Sequence, residues 1–356
     1  MNLYRIISLG FLALTFIACD KKLQEPSADA LKPSIITEQT PNDTDDPAIW
    51  IHPTDLSKSL VLGTDKHSDG GVYAFNLEGE IMNKVLDLKR PNNIDVAYGF
   101  DWGGEKIDIA VVTERETSKI RVFSLPDLKA IDAGGIPVFE NELQEDYNKP
   151  MGVSLYTKTT DSITKIYPIV GRKSGPATDY LWQYELYTDT DKVVKANKVR
   201  SFGNYSGKKE IEAIAVDNEL GYVYYSDETA GVRKYYADPS IKDNSELAFF
   251  SINDAKRDQE GIAIYSTGTN TGYILVSDQQ ANKILIYPRE GSLENKHEHK
   301  LITSVSVSAI EADGIEATSL NLGNQFPKGM LVAMTNGRAF HFYNWNLIQQ
   351  EIDKAL

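Results

Sequence analysis

Apolar residues in this chain recur in a module of three short stretches, with no convincing long amphipathic helix. The first stretch usually opens at a polar residue, the second is apolar, and the third alternates and is rich in aromatic residues. Six copies of the module occur, and their first stretches open at Asp46, Asn93, Met151, Glu212, Glu260 and Asp313. Short alternating runs predict β-strands, and their repetition predicts the blades of a propeller.

The other two stretches of each module locate two further strands of every predicted blade. The second stretches end at Asp65, Glu114, Gly171, Ser226, Asp278 and Thr335. The third stretches span Gly71–Leu77, Lys119–Leu125, Tyr180–Leu186, Gly231–Ala237, Lys283–Arg289 and Ala339–Trp345. We therefore expect an all-β fold, a six-bladed β-propeller with four-stranded antiparallel blades around a central channel. A β-sandwich with accidental periodicity is the alternative, and six matching units count against it.

Two segments outside the modules have predicted roles at the ends of the fold. Ser34–Glu38 is rich in β-branched residues and could supply an outer strand to the last blade, which would close the ring. Asn346–Leu356 is predicted to form a short helix.

The N-terminal residues predict export. The run Ile6–Ala18 is almost wholly apolar but too short to span a bilayer, which is typical of a signal peptide over residues 1–18. It leads into Cys19, the only cysteine, in a pattern that resembles a bacterial lipobox. We expect lipid on Cys19, a polar tether over residues 19–40, and the propeller over residues 41–356. A free thiol beside a simple cleavage site is the alternative.

The charge of the chain restricts its partners. Lys and Arg number 37 against 51 Asp and Glu, a formal net charge of −14. Such a surface does not attract nucleic acid or anionic lipid, so we expect no nucleic-acid partner and membrane contact only through the lipid. We also expect a monomer. An anionic substrate would need a local basic patch or a bound cation.

Propeller geometry gathers polar residues from all six blades on one face. Consecutive strands of a blade are antiparallel, so the start of the innermost strand lies beside the end of the second. Second strands in the first three blades run into the cationic residues Lys66, Arg115, Arg172 and Lys173. Later first strands open with acids instead, and the acidic or amide residues of this face are Asp46, Asn93, Asp95, Glu212, Asp258, Glu260, Asp313 and Gln279. Clustered oxygens suit calcium, and Lys and Arg suit phosphate, so the face predicts a phosphate ester held between metal and cations.

Several motifs in order along the chain resemble the β-propeller phytases, also called alkaline phytases. They are Asp45-Asp46-Pro-Ala-Ile-Trp, Asn92-Asn93-Ile-Asp95, Gln183-Tyr-Glu-Leu, Asp258-Gln-Glu260-Gly with Gln279 following, and Asp313-Gly-Ile. The resemblance extends from about Thr40 to Trp345. It implies calcium-dependent release of phosphate from phytate (myo-inositol hexakisphosphate) by water, without a covalent enzyme intermediate. The expected enzyme class is a phosphoric monoester hydrolase of the 3-phytase type.

The resemblance also implies roles for the residues of the predicted face. Phosphate would be bound by Lys66, Arg115 and Arg172, with Lys173 and Gln279 as further substrate-binding residues. Catalytic calcium ions would be held by Glu212, Asp258, Glu260 and Asp313, and further calcium by Asp46, Asn93 and Asp95. The catalytic set is Glu212, Glu260, Lys66 and Arg115. The family usually has a phosphate-contacting tyrosine where Met151 stands and an acid where Lys173 stands.

Two other functions stay open from the sequence. A calcium-dependent lactonase of the gluconolactonase type would also use acids and Asn in a six-bladed channel, but it would not need the basic residues. A non-catalytic surface binding propeller would not need so many convergent carboxylates. No G-x-S-x-G, P-loop or H-E-x-x-H motif occurs.

Overall fold

The computed structural model describes residues 23–356 and contains six antiparallel sheets arranged as blades. Each first strand contacts the first strand of the next blade, and that of the sixth blade contacts that of the first. The innermost strands therefore form a closed ring. This confirms the predicted all-β, six-bladed propeller.

The strands follow one another from the axis outward in each blade. Blade one comprises Thr44–Trp50, Leu60–Asp65, Gly70–Phe75 and Ile81–Leu88. Blade two comprises Pro91–Trp102, Glu105–Glu114, Lys119–Leu125 and a fourth strand split into Lys129–Ala130 and Ile136–Pro137. Blade three comprises Pro150–Thr160, Ile163–Arg172, Leu181–Thr188 and Val194–Phe202. Blade four comprises Ile214–Asp217, Tyr222–Asp227, Gly231–Tyr236 and Ala248–Phe250. Blade five comprises Gln259–Gly268, Thr271–Asp278, Lys283–Pro288 and Thr303–Ser306. Blade six comprises Ile315–Thr318, Met330–Thr335, Ala339–Asn344 and the N-terminal strand Ile35–Ile36.

The hydrophobic core is divided among the spaces between neighbouring blades. Six buried clusters occur among the described residues, and each joins two adjacent blades. For example, Val111 and Val122 of blade two pack with Val153 and Leu155 of blade three. Both faces of a blade are thus buried, which explains why the second strands are apolar runs rather than alternating ones. Each fully buried Val or Leu contributes roughly 1.5–3 kcal/mol to the free energy of unfolding.

An N-terminal strand closes the ring. Ile35–Ile36 pairs with the third strand of blade six, with Ile35 opposite Phe342, which confirms the predicted outer strand in Ser34–Glu38. Nearby, Leu31 bridges Val307, and Asn282 Nδ2 donates to the carbonyl of Gln24 at 2.7 Å. The described part of the predicted tether is therefore attached to the propeller. The predicted signal peptide and Cys19 lie outside the described residues.

The predicted C-terminal helix spans Trp345–Asp353. Asn344 caps it by accepting a hydrogen bond from Asn346 N, and Trp345, Ile348 and Ile352 pack into the cluster between blades five and six. Within residues 23–356, no helix is long and apolar enough to cross a membrane.

Hydroxyl groups tie neighbouring blades together on one face of the ring. The residue before the end of the second strand is Thr64 in blade one, and its Oγ1 donates to Asn92 O of blade two at 2.5 Å. Equivalent bonds run from Thr113 Oγ1 to Met151 O at 2.6 Å and from Ser277 Oγ to Ala312 O at 2.8 Å. Each bond fixes the entry of one first strand against the previous blade, which sets the positions of the polar residues on this face.

Candidate active site

The last residue of every second strand and the residue that follows it form two rows around the ring. The last strand residue is buried in all six blades; these residues form the strand-end row, Asp65, Glu114, Arg172, Asp227, Asp278 and Thr335. The residue after it defines the axial row, Lys66, Arg115, Lys173, Glu228, Gln279 and Asn336. Acids of the strand-end row accept hydrogen bonds from backbone N–H groups of neighbouring loops. Asp65 Oδ1 accepts one from Asp43 N at 2.8 Å, and Asp227 Oδ2 accepts one from Ser206 N at 2.8 Å.

The backbone is irregular where the first strands begin, and this irregularity sets the direction of the polar side chains there. The pairing register shifts between Thr44 and Pro47 in blade one, and a shift of this kind turns consecutive residues away from simple alternation. In blades four and six the acids Glu212 and Asp313 precede their strands rather than open them. Gly314 permits close approach to blade one, because a Cβ there would lie 2.6 Å from the carbonyl oxygen of Asp45.

Lys66 lies among three carboxylates from three blades, and we call these four residues the Lys66 cluster. Its Nζ is 2.5 Å from Asp45 Oδ1, 3.3 Å from Asp313 Oδ2 and 3.8 Å from Glu212 Oε1. Burial alone would lower the pKa of Lys66, but the three carboxylates outweigh it and raise that pKa well above its usual value. Lys66 is therefore a half-buried ammonium that stays protonated at neutral pH.

Glu212 of blade four reaches groups from blades one and two. Asn92 Nδ2 donates to its Oε1, and Arg115 Nη2 lies 3.9 Å from the same oxygen. Burial would raise the pKa of Glu212, but Lys66 and Arg115 outweigh it and hold the pKa below its ordinary value. Glu212 is thus an ionised carboxylate next to two cations, a suitable group to accept a hydrogen bond from water.

A second acidic group surrounds Lys209, which lies in the irregular segment before blade four. Lys209 Nζ is 2.5 Å from Glu228 Oε2, 3.1 Å from Asp258 Oδ2 and 3.6 Å from Glu260 Oε1. We call these four residues the Lys209 cluster. Burial and then the charge of Glu212 raise the pKa of Glu228 to about 8, and burial followed by Glu228 raises that of Glu260 well above its usual value. One ammonium does not compensate three buried carboxylates.

A family model described as Phytase matches residues 12–354 of the chain. The chain belongs to the phytase family. The 3-phytase of Bacillus subtilis (strain 168) is 29% identical over 325 residues, covering 86% of this chain and 81% of that protein.

Comparison with solved structures finds two chains of partial structural similarity. A β-propeller domain of Cps50 (Swd1) from Myceliophteria thermophila has a TM-score of 0.49 at 11% identity, covering 85% of this chain and 83% of that one. A chain of the Mitotic Checkpoint Complex has a TM-score of 0.48 at 9% identity, covering 96% of this chain and 98% of that one. Neither similarity bears on the activity of this phytase family member.

Most of the predicted site residues meet on the predicted face. Contacts within the two clusters join Lys66, Glu212, Asp258, Glu260 and Asp313, and Arg115 and Gln279 border them. Gln279 Nε2 donates to Asp313 Oδ1. Asp258 and Glu260 are two residues apart, so strand alternation predicts that both face the same side, and their shared contact to Lys209 agrees with this. The sequence predicts that cations from blades one to three occupy one half of this face and carboxylates from blades four to six the other half. The structure differs, because each cluster contains both charges.

Arg172 does not join this network, contrary to the expectation that it grips phosphate. Its fully buried side chain donates to Tyr180 O at 3.0 Å and to Tyr147 O at 3.3 Å, and its guanidinium lies 4.8 Å from the ring centroid of Phe139. The physical reason is register: Arg172 ends its strand and belongs to the strand-end row. Lys173 occupies the axial position, and its Nζ has no hydrogen bond or ion pair to any residue within 23–356.

Two predicted metal ligands, Asp46 and Asp95, are set apart from the two clusters, whereas a third, Asn93, lies beside one of them. Asp46 and Asp95 line a cavity of about 150 Å³ in the axial channel, together with Glu316. Burial raises the pKa of Asp95 to about 6, although Ser154 Oγ and Leu155 N donate to its Oδ2. Asn93 Oδ1 lies 3.5 Å from Asn92 Nδ2, beside the Lys66 cluster.

Sequence reasoning did not assign roles to Asp45, Asn92, Glu228 or Lys209. Glu228 could have been found, because it occupies the same axial-row position as Lys66 and Arg115. Asp45 and Asn92 stand directly before Asp46 and Asn93, but the register shift that aims them was not visible. Lys209 lies in a segment without periodicity, so no pattern indicated it.

Two sets of three converging carboxylates, which share Glu228, fit a hard divalent cation. Glu210, Glu212 and Glu228 offer carboxylate oxygens within 4.8 Å of one another, and Glu228, Asp258 and Glu260 do the same. Both oxygens of Glu228 and Oδ1 of Asp258 are buried without a hydrogen-bond partner. Calcium takes six to eight oxygen ligands at flexible geometry, so these orphaned oxygens suit it.

Proposed function

We propose that this protein is a calcium-dependent phytase that hydrolyses phosphate monoesters of phytate by attack of water. The observation that carries the proposal is the pair of mixed clusters on one face. Orphaned carboxylate oxygens there suit calcium, and Lys66, Arg115 and Lys173 offer donors for several phosphate groups. Membership of the phytase family supports the same reaction class, a phosphoric monoester hydrolase.

Each side chain has a role that its surroundings support. Lys66 and Arg115 would offset charge on the phosphate oxygens, and the buried, unpartnered Nε of Arg115 is a donor already desolvated for an anion. Glu212, ionised at neutral pH, would orient the attacking water. When bound, calcium would supply charge neutralisation and water activation at Glu228, Asp258 and Glu260. Asp46, Asn93 and Asp95 are proposed to hold further calcium.

The basic residues favour this function over the two rivals. A lactone is neutral, so a lactonase has no use for Lys66, Arg115 and Lys173 on one face. A binding propeller has no need of Glu212 held ionised beside two cations.

Phosphate release from phytate should require calcium and should stop in EDTA. The same ion should stabilise the fold, because it binds the folded state alone. At a hundredfold excess over its Kd, calcium should raise Tm by about 4 °C for a chain of this size. Full activity in EDTA, or a Tm that calcium leaves unchanged, would contradict calcium dependence.

This stabilisation should depend on pH in a defined direction. Glu228 has a folded-state pKa of about 8, above its unfolded value, so without metal it favours folding below the unfolded pKa. That contribution is lost as pH rises through about 8. Calcium replaces the proton, so its effect on Tm should be larger at pH 8 than at pH 5. Melting curves with calcium or EDTA at both pH values check this, and a larger effect at pH 5 would refute it.

We further propose that the protein is a membrane-anchored, monomeric lipoprotein exported through its N-terminal signal. The apolar run that ends directly before Cys19 supports this. A fatty-acid analogue fed to expressing cells should label the wild-type protein and leave Cys19→Ser unlabelled. Equal labelling of the two would disprove lipidation at Cys19.

A further inference from the structure

Lys209 occupies the position where the proposed calcium ligands converge. Its Nζ lies within 3.6 Å of an oxygen of Glu228, Asp258 and Glu260. Burial would lower the pKa of Lys209, but Glu260 and Glu228 outweigh it and raise that pKa. The side chain extends from an irregular backbone segment between two strands and is 40% exposed to solvent.

An ammonium group satisfies these acids incompletely. Although Nζ is 2.5 Å from Glu228 Oε2, that contact lacks hydrogen-bond geometry, and Glu228 Oε1 and Asp258 Oδ1 also stay without a partner. Calcium binding requires all three carboxylates to be ionised, and Lys209 offsets only one of those three negative charges. A spherical divalent cation can contact more of these oxygens and carries twice the charge.

We propose that Lys209 is a tethered cation that occupies the calcium site of the Lys209 cluster in the metal-free protein and competes with calcium for it. This inference rests on the calcium dependence proposed above. Two positive groups cannot share the same three oxygens, so calcium entry must displace the ammonium. Lys209 therefore offsets part of the buried negative charge when calcium is scarce and raises the calcium concentration that the site requires.

Calcium titration of the metal-stripped protein by calorimetry tests the competition. Lys209→Met should bind calcium at this site about tenfold more tightly than the wild type, the size expected for one partly buried ion pair. Lys208→Met is the matched control, because it removes the same charge one residue away, where Nζ donates to Thr229 O at 3.2 Å and to no other group among residues 23–356. Lys208→Met should therefore stay close to the wild-type Kd.

An unchanged or weaker Kd in Lys209→Met, with calcium still binding, would overturn this inference and leave the proposed calcium dependence intact. Equal tightening in both variants would also overturn it, because the effect would then be one of net charge. Absence of calcium binding in all three proteins would refute calcium dependence and the competition together.

A measurement on the wild-type protein avoids any folding defect of the variant. Acetylation of lysines, followed by mass spectrometry, reports how accessible each ammonium is. Calcium should increase the acetylation rate of Lys209 severalfold while that of Lys208 stays constant. A Lys209 rate that calcium does not change would show that the ammonium is not displaced.

Discussion

Glu260→Gln should reduce phytate hydrolysis at low calcium by about a hundredfold or more, and excess calcium should restore part of the activity. Glu260 is buried, and its carboxylate converges with those of Glu228 and Asp258. The amide keeps the shape and one oxygen but removes the charge, so the metal site should weaken without collapse of the fold. The activity curve should move to higher calcium.

Arg115→Ala is the matched comparison for Glu260→Gln, because Arg115 lies on the same face but contacts no residue of the Lys209 cluster in the described chain. Its loss removes one charge-assisted contact to phosphate, about 1.5–3 kcal/mol, or roughly ten- to a hundredfold in kcat/KM. Its calcium requirement should match the wild type. If Arg115→Ala shifts the calcium curve and Glu260→Gln does not, the assignment of acids to metal and bases to phosphate is wrong.

Lys66→Met should lower the free energy of unfolding by about 3–5 kcal/mol in the absence of calcium. Lys66 is the cation that compensates Asp45, whose side chain is 1% exposed, and it also contacts Glu212 and Asp313. The sequence alone suggested that Lys66 and Arg115 are equivalent phosphate ligands. The ion pairs of Lys66 give it a structural role as well, so its replacement should cost stability in addition to activity.

Urea denaturation in EDTA measures this loss, and Lys89→Met is the control. Lys89 pairs with Asp69 at 2.7 Å, but both side chains are exposed, so its loss should cost about 0–1 kcal/mol. If Lys66→Met were as mild as Lys89→Met, the carboxylates around Lys66 would not depend on its charge.

Sequence repeats predicted the blades well because both faces of each blade are buried against its neighbours. The third strand of blade two was placed at its observed bounds, Lys119–Leu125, and several others differ by one or two residues at an end. The same two-sided burial removes the alternation that would fix register in second strands. Two second strands were therefore ended early, at Gly171 and Ser226 instead of Arg172 and Asp227.

That single-residue error had a consequence for the site. Successive residues of a strand point to opposite sides, so moving the strand end by one exchanges a structural residue for a site residue. Ending the strand at Gly171 puts Arg172 at the position of Lys66 and Arg115, for which the resemblance implies phosphate binding, and Glu228 received no role. With the observed ends, the last strand residue is buried in all six blades, and the residue after it supplies Lys66, Arg115, Glu228 and Gln279 to the candidate site.

The sequence by itself determined the number of blades, the face that carries the site and the residue types that gather there. These follow from local patterns that repeat in every blade. Tertiary structure decided which charges pair, because Glu212 of blade four meets Lys66 of blade one only when the ring closes. It also placed Lys209 among three acids, since an irregular segment has no periodicity from which its course could be predicted.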